Sequence, residues 1–188
     1  MSWLRRLLQP FTKPTDVKQF HSPLAVEFDP STVSKSVKAN LRKNIELLGG
    51  IEKKHIPQIY EAALSSVLAG RDHRSLVAAL VSIEGMAQDR AWEITRNLHN
   101  KATEQINRER QSSLGITHAI WMYANAPCMK DPSHPTEAEI QQDAAHKASN
   151  GKRYDLSKGL LVNGKWTRPG VEEGCKCTSR AVLPWTKE

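Results

Sequence analysis

Between Ser34 and Leu48 apolar residues recur every three or four positions, at Val37, Leu41, Ile45 and Leu48. That spacing places them on one face of an α-helix, and Gly49-Gly50 ends it. A second stripe (Ile56, Ile59, Tyr60, Ala63, Leu64, Val67, Leu68) predicts a helix from about Ile51 to Leu68. Pro57 belongs in its first turn, where a missing N–H costs nothing, and Gly70 closes it. Asp72 to Ser112 reads as helical but divides near Gly85. Its first part, with Leu76, Val77, Leu80, Val81 and Ile83, is apolar enough for a core helix. The second has a narrower stripe, from Ala91 and Trp92 through Ile94, Leu98 and Ala102 to Ile106. Its opposite face carries Arg90, Arg96, Lys101, Glu104, Arg108 and Arg110. Mixed charges one turn apart read as a solvated face.

The pattern differs at both ends. Trp3, Leu4, Leu7 and Leu8 outline a short amphipathic helix that Pro10 and Pro14 stop. Pro23 and Pro30 extend this proline-rich run into a connector, in which Leu24, Val26 and Phe28 alternate as a short strand or as an arm laid along a partner. After Gly115 the segment Ile116–Tyr123 reads as a strand with aromatic weight, centred on Trp121. A short helix follows over Thr136–Lys147, with Thr136 as N-cap and Glu137 and Glu139 in its first turn. Asn150-Gly151 then turns the chain toward a short strand at Lys152–Asp155. Leu160–Val162 and Lys165–Thr167 flank Asn163-Gly164, a dipeptide suited to the positive φ values of a type I′ hairpin turn. Cys175–Leu183 is a final extended segment. The chain is therefore expected to be α+β, with a docking helix and arm over 1–33, a helical domain over 34–115 and a small strand-and-hairpin module over 116–188.

Composition narrows the functional classes. No apolar run approaches the roughly 20 residues that span a bilayer, so no membrane partner is expected. The net charge of +7 is spread along the chain, which suits a basic surface meeting nucleic acid non-specifically better than a sequence-reading site. His73, His99 and His118 stand apart from other ligand types and read as core or surface histidines. Three cysteines cannot all pair, and a Cys175–Cys177 bridge would close a very small strained ring, so reduced thiols fit better.

Those thiols are the candidate chemistry. In an extended segment Cys175 and Cys177 point to the same side. They can hold one side of a metal ion while Cys128 and either His134 or His146 close the other, four ligands at most out of these five residues. Zinc, which takes thiolate and imidazole in a tetrahedron, is the expected cofactor, as a structural staple for a module with little apolar mass. The alternative is that these residues pack as small core groups without a metal. A catalytic use has weaker support. The spacing of His134 with Glu137 and of Cys175 with Cys177 does not match the deaminase pattern. A metal nuclease or toxin-like enzyme could use Asp131, His134 and His146, but nothing names its general base, and no phosphate-cradling glycine loop is present. No catalytic residue is assigned.

The C-terminal half begins with ATEQINRERQSSLGITHAIWMYANAP, continues through PSHP and His146 with ASNGKRYD, and closes on PG and GCKCTSRAVLP. This order of motifs is similar to that of the phage Mu F-like minor head proteins. In the resemblance Trp121 matches the family's strand tryptophan. Ser133-His134, or else His146, matches its histidine. Asn150-Gly151-Lys152-Arg153-Tyr154 matches its turn, and Cys175-Lys176-Cys177-Thr178 its closing motif. Gly174 stands where the family often has asparagine. The resemblance implies a non-enzymatic minor component of the phage head, present in the virion and in the host cytoplasm during assembly. Such a protein associates with the portal and other head components, in several copies, and assists head morphogenesis and the packaging or delivery of phage DNA.

Overall fold

The structure, a computed structural model, describes residues 33–184. The expected N-terminal helix, proline-rich arm and strand at Leu24–Phe28 lie outside the described residues. Four helices come first: α1 (Lys35–Glu46), α2 (Ile56–Leu68), α3 (His73–Glu84) and α4 (Gln88–Ser113). The smaller elements follow: β1 (His118–Met122), α5 (Glu137–Ala148), β2 (Arg153–Asp155), β3 (Leu160–Val162), β4 (Lys165–Thr167) and β5 (Thr178–Ala181). The α+β expectation holds, as does the expected placing of the amphipathic helices ahead of the strand-and-hairpin module.

Each early helix buries the stripe its spacing predicts. Val37, Leu41 and Ile45 of α1 are buried, as are Ile59, Ala63 and Val67 of α2. They meet Leu76, Val77 and Leu80 of α3 and Ala91, Ile94, Leu98 and Ala102 of α4 in one cluster. Two details differ from expectation. The α2 helix starts at Ile56 after a 3-10 turn over Lys53–His55, because Pro57 is tolerated only in a first turn. Val81 is 38% exposed, since the buried face of α3 follows Leu76, Val77 and Leu80 and leaves Val81 at its margin. Gly85 ends α3 in the left-handed conformation, φ 60°, where glycine carries no Cβ penalty.

Polar groups tie this bundle together. Gln105 of α4 accepts from Asn40 Nδ2 at 2.9 Å and donates to Ser36 Oγ at 2.8 Å, joining α4 to α1. His99, fully buried, contacts Ser66 Oγ through Nε2 at 2.8 Å. The Ser66 hydroxyl already donates to the Asp72 carbonyl, so His99 Nε2 must carry the proton that bonds Ser66. Its Nδ1 is buried without a partner, and protonation there would bury an unmatched N–H. Burial, then the positive charges of His73 and Arg71, push its pKa down to about 4.

This predicts acid sensitivity. Below the unfolded-state value near 6.5 the unfolded chain takes up a proton that the folded bundle refuses until about pH 4. Stability is therefore complete above pH 6.5 and falls as pH drops through that window, by roughly 3 kcal/mol at 1.36 kcal/mol per unit. Urea midpoints across the window should show the slope, and His99→Gln should flatten it. An unchanged slope in the variant would place the proton elsewhere.

The C-terminal module has its own apolar cluster. Besides the three cysteines it consists of Ile116, Ala119, Trp121, Tyr154, Leu156 and Val162. β1 is the central strand of an antiparallel sheet in the order β2-β1-β5, with Ala119 opposite both Tyr154 and Ala181. β3 and β4 form the expected hairpin, with Val162 opposite Lys165 and both turn residues at positive φ, Asn163 at 48° and Gly164 at 75°. The opposite face of α4 is not wholly solvated. Glu104 lies in the seam between bundle and module, 3.3 Å from Arg108 and 3.7 Å from Arg168, and burial raises its pKa despite both cations.

Candidate metal centre

The α5 helix begins with a complete capping box. Thr136 Oγ1 accepts from the Glu139 N–H, and the Glu139 carboxylate accepts from the Thr136 N–H. Bonds from the backbone N–H groups of Thr136 and Lys130 hold the Glu139 pKa down to about 2. With its start fixed, α5 presents Gln142, Asp143 and His146 on one face, three and four residues apart. Thr136→Ala should cost about 1 kcal/mol, read as a lower urea midpoint with an unchanged m-value.

That face organises the loop carrying Cys128. Asp143 Oδ1 accepts from the Cys128 N–H at 2.7 Å and from the Tyr123 hydroxyl at 2.9 Å. Gln142 Nε2 donates to the Cys128 carbonyl at 3.2 Å and to the Glu173 carbonyl at 2.8 Å, so one side chain links both cysteine-bearing loops. From the bundle, Asn100 Nδ2 of α4 donates to the Cys175 carbonyl at 3.2 Å. Asn150 Oδ1, just past α5, accepts from the Tyr123 N–H at 2.9 Å, and the Gly151 N–H donates to the Trp121 carbonyl at 2.8 Å. Asn150-Gly151 thus ties the end of α5 to the end of β1.

These supports bring Cys128, His146, Cys175 and Cys177 together. All four are buried, and one ligand atom from each lies within 4.8 Å of the others. The Cys128 and Cys177 sulfurs are 3.5 Å apart. Backbone N–H groups point at two of the sulfurs, Gly170 to Cys175 at 3.3 Å and Lys176 to Cys128 at 3.5 Å. Such donors favour thiolates and orient them as ligands. His146 Nδ1 is buried with no hydrogen-bond partner, and its ring sits edge-on to Trp121 with centroids 5.1 Å apart.

The protons of the cluster compete. Thiol hydrogen bonds from Cys175, then Cys177, hold the Cys128 pKa far below the usual thiol range. The bond to Cys128 in turn pushes Cys175 well up, and Cys177 up to about 11. The Trp121 indole makes no hydrogen bond of ordinary geometry, yet it is close enough to the Cys177 sulfur to pull slightly the other way. Without a cation the cluster supports one thiolate. A divalent ion would let all three ionise and would give the imidazole a partner. The group can therefore hold a metal ion.

His134 does not join it. Its side chain is 86% exposed and bonds Asp131 at 3.1 Å through Nδ1. The Asp131 turn lies outside the buried nucleus, ahead of α5, whereas His146 is carried inward on that helix's buried face. For the same reason Asp131, His134 and His146 do not form a nuclease-type constellation. Gln142 and Asp143 escaped the sequence reading, although their offsets of four and three from His146 carry the signal. A second group of acceptors, Glu52, His55 and Glu84, is half-exposed. Glu84 there accepts from the Glu52 N–H at 3.2 Å and contacts His55 Nδ1 at 3.0 Å, which fastens the 3-10 turn to α3. No protein-family model matches the chain, and no solved structure matches it.

Proposed function

We propose that this chain is a phage minor head protein, associated with the portal and assisting head morphogenesis and DNA packaging or delivery, whose C-terminal module is stapled by zinc. The observation that carries the reading is convergence. Of the residues on which the resemblance rests, Trp121, Asn150-Gly151 and Cys175-Lys176-Cys177 contribute to one nucleus and its supports, and of the two histidines that could match the family's, His146 joins them while His134 does not. Motif residues matched by chance would have no reason to meet.

The chemistry of the nucleus supports a structural ion. Zinc–sulfur bonds of about 2.3 Å in a tetrahedron place sulfurs about 3.8 Å apart, and Cys128 and Cys177 are within reach of that at 3.5 Å. Three cysteines and one histidine fill all four positions, whereas a catalytic zinc keeps one for water or substrate. The role is then to hold β1, α5 and the Cys175–Cys177 arm together as a rigid surface for head components.

The test is composition of the particle. Heads purified from an induced phage lysate should contain the chain at a fixed ratio to portal protein, with crosslinks joining the two. Its absence from purified heads would overturn the reading. Element mass spectrometry on the purified chain should find one zinc per molecule, lost in the Cys175→Ser/Cys177→Ser double variant.

A further inference from the structure

Two adjoining cavities, of 420 and 500 Å³, run along the seam where the start of α3 and the middle of α4 face the Cys175–Ser179 arm. Arg71, His73 and Arg96 line both, so they form one trough. Arg74 and Trp92 extend it at one end and Lys176 at the other. We propose that this trough binds the phosphodiester backbone of a nucleic-acid strand. The inference stands independently of the head-protein reading.

Charge is the first argument. Arg71, Arg74, Arg96 and Lys176 take part in no ion pair among the described residues. The acids nearby are engaged. Asp72 caps α3 through Ser75 and feels Arg74, while Glu104 is held by Arg108 and Arg168. Four cations along one channel, with both neighbouring carboxylates committed, make a positive track that attracts phosphates. The N-terminus of α3 adds its dipole in the same sense.

Placement is the second. Arg71 sits at φ 72°, a conformation uncommon for a residue with a side chain. Its guanidinium donates to Asn100 Oδ1 at 2.7 Å, which fixes it across the trough and leaves further N–H groups for a ligand. Lys176 lies between the two cysteines of the arm, so the clamp that buries Cys175 and Cys177 leaves Lys176 exposed on the trough side. Trp92 stacks on His73 at 6.2 Å with planes 24° apart, an aromatic surface on which a base can lie. A single small phosphate would occupy one cavity; the spread of cations over both fits a strand.

The experiment uses the full chain and a short fluorescent DNA strand, read by anisotropy. Binding should weaken steeply between ~50 and ~200 mM salt. Arg74→Glu and Arg96→Glu, both exposed helix-surface changes, should each weaken binding about tenfold and reduce the salt slope by about one. Lys38→Glu and Lys147→Glu impose the same change of net charge away from the trough and should leave affinity nearly unchanged. Equal losses in all four variants would reduce the effect to general basic charge and overturn the assignment, as would absence of binding by the unaltered chain. Inorganic pyrophosphate serves as competitor, and displacement at the same concentration as the unlabelled strand would assign the trough to free phosphates instead.

Discussion

Chelating the proposed zinc should unfold the C-terminal module and leave the helical bundle standing. The module's apolar cluster is small, and three of its members are the cysteines themselves. Remove the ion and the three buried sulfurs return to sharing protons, with Cys128 ionised and Cys175 and Cys177 driven upward. His146 Nδ1 is left without a partner. In small zinc modules at neutral pH the binding free energy, about 10–16 kcal/mol, is folding free energy. Losing it is comparable to the whole ~5–15 kcal/mol that holds an ordinary domain.

The bundle has different support. Its core joins residues from α1 to α4 and includes none of the cysteines. A strong chelator should therefore abolish the near-ultraviolet signal of buried Trp121 and open residues beyond Gly115 to protease, while far-ultraviolet helicity falls by little more than α5. Cys177→Ser should reproduce this without chelator, and added zinc should restore the chelated protein but not the variant. A chelated protein that keeps its protease resistance would show that the cluster packs without a metal. The capping and acid effects described above are smaller because each acts on one group within an otherwise intact core.

What could be read in advance follows from how local the determinants are. The stripes of α1 to α4 needed only the helical period, and the hairpin needed only Asn163-Gly164, whose left-handed conformations are intrinsic to those residue types. The choice between His134 and His146 was not local. Both belong to the same stretch of chain, and only the docking of α5 by Asp143 and Gln142 buries one in the cysteine cluster and leaves the other in water. Asn150 read as a turn residue because its side-chain bond to Tyr123 crosses to the residue just past β1, more than two dozen positions away. Glu104 read as solvated because a helical wheel carries no information about what Arg168 will bring against it. Val81 read as core because α3 was assigned a wider stripe than its neighbours cover.

Gly174→Ala should be among the most damaging single substitutions in the module, although it adds only a methyl group. Gly174 lies at φ 71°, and a Cβ built there would stand 2.7 Å from the Met129 carbonyl carbon and 2.8 Å from the Lys130 nitrogen. Both are backbone atoms of the loop that follows Cys128, so no flexible side chain can move aside. The left-handed conformation costs ~1–2 kcal/mol with a side chain, and forcing the two loops apart adds ~1–3 kcal/mol. Gly164 supplies the control, since its φ is 75° but a Cβ there meets nothing within 4 Å. Gly164→Ala should thus show the conformational cost alone. The difference between the two urea midpoints measures the clash. Because the strained turn joins Cys175 to the Cys128 loop, Gly174→Ala should also weaken zinc binding in a chelator competition, and Gly164→Ala should not. Gly174→Asn is the third arm. Asparagine accepts the left-handed conformation more readily than alanine, yet it brings the same Cβ. It should fall close to Gly174→Ala if contact with Met129 dominates, and close to the parent protein if the backbone conformation does.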